Sequence, residues 1–167
     1  KVSAGPTSFG FGAATGTGLA GSALATLASQ SITDGGNYTV VATGSATNPT
    51  LYLLDNSFSG TLGANQAAVR FVNLVPGTEA NPNNFAVFIG TFGAGGTLHA
   101  NNSAVGAPTT FTTVASGSTP SSILRNHEVE LTGKGATLNL QTASVNTIAI
   151  VPTTSGGIQL IDLPRCF

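Results

Sequence analysis

Short runs of β-branched and apolar residues, each closed by Gly, Pro, Asn or Ser, recur along this chain at roughly 8- to 15-residue intervals. That pattern is the signature of an antiparallel sandwich or barrel. The run from His127 to Thr132 alternates with period 2, with Glu128 and Glu130 on one face and Val129 and Leu131 on the other. Ala136 to Thr142 alternates in the same way, with Leu138 and Leu140 directed inward. Gly133-Lys134-Gly135 between them reads as a tight hairpin turn.

Other runs are apolar on both faces: Ala68 to Val75, Phe85 to Ile89, Tyr38 to Val41, Leu51 to Leu54 and Thr147 to Val151. Two-sided strands imply sheets covered on both faces, by a second domain or a neighbouring molecule. The stretch Leu19 to Leu27 is ambiguous, because Ala20, Leu24 and Leu27 would also line one helical face. No strong N-cap or first-turn acid precedes it.

An internal repeat resolves that ambiguity. Ala25 to Ser31 reads like Ala136 to Thr142 at an offset of 111, and Val2 to Thr7 resembles Val114 to Thr119 at 112. Tyr38 to Val41 corresponds to Thr147 to Ile150, and Leu51 to Asp55 to Ile158 to Asp162. Four matches in order point to a duplicated β-module and make residues 22 to 32 strand. The expected architecture is all-β, with two Ig-like antiparallel β-sandwich modules in tandem. Residues 1–60 form a partial first module, 61–66 a linker, and 67–167 a complete second module. The first lacks a counterpart of residues 67 to 112, its opening strands. Those strands lie upstream, or come from a neighbouring subunit, or are replaced by a smaller closed sheet formed with the second module.

Val69-Arg70-Phe71-Val72-Asn73-Leu74-Val75-Pro76-Gly77 precedes an Asn/Pro-rich loop and the strand Phe85 to Gly90. Upstream stand Gly36 to Gly44 and then Leu51 to Asp55. This order resembles the bacterial tandem β-domains of the "domain of unknown function 4397" family. The resemblance implies a β-sandwich module that is exported or lipid-anchored, and it carries over no catalytic residue. The loop Glu79 to Asn84 departs from the family's short acidic-proline segment, as does the first module in lacking its opening strands.

The chain holds five basic and six acidic residues, with a formal net charge of −1. So little charge gives identical copies little reason to repel one another. It leaves no electrostatic footprint for nucleic acid or anionic lipid. A hydrophobic content of 41% is enough for a core. No apolar stretch approaches the ~18 residues of a membrane span. Lys1 is followed directly by Val-Ser-Ala-Gly-Pro, so a leader has been removed or the chain starts part-way through its gene product. The single cysteine, Cys166, is a free thiol or forms an intermolecular disulfide.

Candidates for chemistry are few. His127 and Glu128 point to opposite faces of a strand, and His99 reads as a strand end, so no catalytic residue is assigned. Two histidines and one cysteine make a transition-metal site improbable, and no cofactor is expected. Gly16-Thr17-Gly18-Leu19-Ala20-Gly21 spells a nucleotide-loop pattern, but no apolar strand leads into it. Asp34-Gly35-Gly36-Asn37 reads as a hairpin turn rather than a calcium loop. Asn37 and Asn101 head the two N-glycosylation sequons, so glycans are candidate partners.

The expected function is therefore non-enzymatic. It is an exported structural protein, extracellular or on the cell surface, whose copies join into a fibre or layer through β-strand contacts. Lys1 to Ala13 and Ile158 to Leu163 are the candidate exchanged segments. The alternative is a carbohydrate- or surface-binding adhesion module, with Asn81 to Asn84 presenting amides to a sugar.

Overall fold

The computed structural model describes residues 3–15, 18–19, 21–76, 85–90, 95–100, 104–125, 129–130, 136–154 and 157–163. These residues are all-β, with no helix among them. They fall into two compact units that divide between Ser57 and Phe58.

In the first unit, β1 (Gly5–Phe11) pairs antiparallel with β4 (Ala25–Ile32), and β5 (Tyr38–Ser45) pairs antiparallel with β6 (Asn48–Asp55). Two short strands, β2 (Ala14–Thr15) and β3 (Gly18–Leu19), form a further ladder between β1 and β4 in the chain. The ambiguous stretch is thus strand from Ala25 onward. A bulge opposite Ser8 places Ser29 at φ 54 and shifts the alternation of β4. Ala25 and Leu27 before the bulge, and Gln30 and Ile32 after it, all turn toward the covered face. The hairpin Ser45–Asn48 closes with Asn48 N–H donating 3.0 Å to the Ser45 hydroxyl.

The second unit contains two sheets. The first runs β10 (Thr112–Ala115), β7 (Gln66–Asn73), β14 (Val145–Pro152), β15 (Ile158–Asp162). In the other, β11 (Gly117–Arg125) has β8 (Phe85–Ile89) and then β9 (Thr97–Ala100) on one side. β12 (Val129–Glu130) and β13 (Thr137–Leu140) also pair with β11. All ladders are antiparallel except β7–β14, which is parallel from Ala68↔Val145 to Asn73↔Ile150. Phe71 of β7 and Ile148 of β14 meet Phe85 of β8, Ile123 of β11 and Leu140 of β13 in one apolar cluster. The two sheets therefore share a core as a sandwich.

β10 and β11 belong to different sheets yet are separated only by Ser116. Gly117 takes φ +116 at this corner, a conformation closed to most side chains. The strands that read as apolar on both faces are buried on both faces here: Ala67 to Asn73 is buried throughout β7.

Two local readings are corrected. Among the described residues, Val129–Glu130 and Thr137–Leu140 do not pair with each other. Both pair with β11, at Leu124–Arg125 and at Gly117–Pro120 respectively. The intended turn, 133–135, lies outside the described residues. Asp34 and Gly35 do make a tight turn, with Gly36 N–H donating 3.1 Å to the Thr33 carbonyl and Gly35 at φ +71. It joins two different ladders, however, and is not a hairpin.

Candidate functional site

The first unit buries little. Leu54 is fully covered, and Ile32, Val41 and Leu51 nearly so, but Phe11, Leu24 and Val40 remain 43%, 51% and 39% exposed. β5 and β6 are each apolar enough for a two-sided strand, yet their burial is partial and alternating.

Each ladder of this unit has only two strands, so among the described residues both long ladders present unpaired edges. The hydrogen-bond phase of β5 defines its outer edge. Asn56 N–H donates 2.7 Å to the Asn37 carbonyl, which makes Asn37 and Asn56 a hydrogen-bonded pair of the ladder. The bonded pairs then alternate through Thr39↔Leu54 and Val41↔Tyr52. The backbone groups of Tyr38, Val40 and Ala42 consequently point away from β6.

Beside this edge lies an apolar concavity of about 310 Å³, bordered by Phe9 of β1, Ile32 of β4, the Asp34–Gly36 turn, Tyr38 and Val40. The Tyr38 hydroxyl lies 2.9 Å from Thr33 Oγ1 and accepts from Thr33 N–H at 3.3 Å, which fixes the ring over the turn. A Cβ at Gly36 would overlap that ring, so any larger residue there would have to displace it.

The sequon residue Asn37 is half-buried at the entrance to β5. Its side-chain carbonyl accepts from Asn56 Nδ2 at 3.4 Å, and the sequon hydroxyl, Thr39 Oγ1, accepts from the same nitrogen at 2.8 Å. The other sequon residue, Asn101, lies outside the described residues, as do Cys166 and His127. Asn81 to Asn84 lie outside them too. Among the described residues no three His, Cys, Asp or Glu side chains gather as metal ligands. No described helix is long and apolar enough to cross a membrane.

His99 is half-buried on β9 and borders a concavity of about 380 Å³ with Ile89, Thr113 and Thr119. Burial removes water from the imidazolium and lowers its pKa from the usual 6.5. Among the described residues no carboxylate lines that concavity.

The sequence reading missed one polar arrangement. Arg70 sits within the apolar run of β7 and is only 6% exposed. Its Nε–H donates 3.0 Å to Thr147 Oγ1, and its guanidinium carbon stands 4.5 Å over the Phe111 ring. Phe58 meets Phe111 edge-on at 5.6 Å. A charged residue inside a two-sided apolar strand was the available signal, since such a group is buried only with partners.

Both candidate exchanged segments are occupied within the chain: β1 pairs with β4, and β15 pairs with β14 and buries Ile158. No curated protein matches the chain. The family model described as "Domain of unknown function (DUF4397)" matches residues 1–82, which include Gly36 to Gly44, Leu51 to Asp55 and Val69 to Gly77. The Phe85 to Gly90 strand lies beyond that match. Over residues 1–82, just under half of its length, the chain is therefore similar to the DUF4397 family.

Proposed function

We propose that the chain is a non-enzymatic, exported structural protein whose copies join at the cell surface into a fibre or layer by β-strand contacts. The observation that supports this reading most directly is the first unit's two long ladders, each of two strands with edges unpaired among the described residues. An isolated two-stranded hairpin is marginal in water, and three or more strands give independent stability. Unpaired edges beside exposed Phe11, Leu24 and Val40 are templates for another chain's strand. A net charge of −1 offers little repulsion between approaching copies. Head-to-tail strand contacts generate filaments wherever the rotation between successive copies does not close a ring.

The test is the solution mass and electron microscopy of native material. Polymers that persist in detergent are the expected result. A stable, monodisperse monomer at high concentration overturns the reading.

A further inference from the structure

The second unit contains, within the same chain, a more complete version of the arrangement that the first unit leaves open. β1 pairs with β4 as the first half of β11 pairs with β13, and β5 pairs with β6 as β14 pairs with β15. Gly5 and Gly117 open β1 and β11 with nearly the same φ, +120 and +116. The turn Thr33–Gly36, with Gly35 at φ +71, matches the turn Gln141–Ser144, with Ala143 at φ 59. That match sets Thr33 on Gln141 and Ile32 on Leu140, an offset of 108 in place of the 111 read from sequence.

In the second unit the remaining side of β14 is taken by β7, parallel to it, and Leu140 and Ile148 pack against Phe71 in the core. In the first unit the corresponding side of β5 carries the outward backbone groups of Tyr38, Val40 and Ala42. The Leu140 counterpart, Ile32, borders the 310 Å³ concavity together with Phe9 of β1, with no strand of the β7 type beside it among the described residues.

We infer that the outer edge of β5 is an acceptor for an extended strand of the β7 type, running parallel to β5 and supplied by a partner polypeptide. The strand's chemistry is set by β7 itself, in which Ala67, Val69 and Phe71 face the core and the backbone carries the pairing. The chain's own β7 is not the donor, because Phe71 and Val72 are 1% and 0% exposed within the second unit. The inference rests on the strand-contact reading above, and adds which edge accepts, in which direction, and which side chains enter the concavity.

The probe is a synthetic peptide with the sequence of residues 66–75, fluorescently labelled and titrated against the full chain by anisotropy. Saturable binding is expected, with none for a peptide of the same composition in scrambled order. Val40→Pro removes an outward N–H without touching a bond to β6. Loss of one pairing bond at ~1.5 kcal/mol corresponds to about tenfold weaker binding. Val40→Lys places a charge at the concavity and weakens binding at least as much. Circular dichroism of both variants establishes that they remain folded. A nitroxide on the peptide's amino terminus broadens the amide signal of Tyr38 more than that of Ser45, as parallel pairing requires. Absence of saturable binding, indifference to both folded variants, or the reverse broadening pattern overturns the inference. Native polymer whose dissociated, folded monomer ignores the peptide refutes the edge assignment alone. A monodisperse chain that binds the peptide refutes the polymer reading alone.

Discussion

Removing the ring that covers Arg70 should weaken the second unit by more than the lost apolar contact explains. The guanidinium is 6% exposed and lies 4.5 Å from the Phe111 centroid, so its attraction to the ring operates largely out of water. A desolvated contact of this kind is worth about 2 kcal/mol, against ~0.5–1 at an exposed site. Phe111→Leu retains apolar bulk but loses both this attraction and the edge-on contact with Phe58, itself worth about 0.5–1.5 kcal/mol. The single substitution should therefore cost roughly 2.5–3.5 kcal/mol. Arg70→Met removes the charge and the bond to Thr147 while retaining length. A double-mutant cycle between the two positions, read by urea unfolding with far-UV circular dichroism, isolates the pair. A coupling of about 1–2 kcal/mol is expected. Coupling below ~0.5 kcal/mol, the usual scatter of additive sites, would refute the assignment. Phe58→Leu serves as a control, because Phe58 touches Phe111 and its coupling should be to that ring.

Ala143→Gly should raise stability by roughly 0.5–1 kcal/mol, since a left-handed alanine costs ~1–2 and the glycine returns only ~0.4–1 to the unfolded chain. Thermal unfolding of the pair checks it, and a lower midpoint for the glycine variant contradicts the strain at φ 59. His99 has its pKa lowered in the fold by desolvation, so the unfolded chain binds its proton first as pH falls. Stability should be full above the unfolded value of 6.5 and decline as pH falls from there through the folded value. Urea midpoints across this range should fall for the parent and stay flatter for His99→Gln; parallel curves would remove histidine from the account.

Much of the local structure was legible because it rests on local rules. The alternation at Leu138 and Leu140 reads as one buried face, and both side chains are buried. The two-sided runs of β7, β8 and β14 are covered on both faces. The repeat turned an Ala-rich stretch with helical spacing into β4. Pairing was harder to read, because alternation specifies a face and leaves the neighbour open. The segments around Val129 and Leu138 carry complementary patterns and a glycine-flanked gap, yet both pair with β11. Alternation in β7 and β14 likewise says nothing of their parallel direction. Sequence alignment of the repeat slipped by three residues near β13, since Ala-Thr-Leu recurs by composition, whereas the turns at Gly35 and Ala143 fix the equivalence by geometry. Arg70 stayed hidden because its cover comes from Phe111, far along the chain.

The parallel ladder of β7 and β14 also governs how the second unit comes into being. Ala68 finds its partner Val145 only after most of the intervening chain has been placed, so a long loop must close before this ladder gains anything. Folding should be slow for its size and limited by that closure. During synthesis, Val69, Phe71 and Val72 emerge well before the strand that will shelter them. In that interval β7 is itself the kind of unattached apolar strand that an open β5 edge recognises, so crowding of nascent chains favours mispairing over completion.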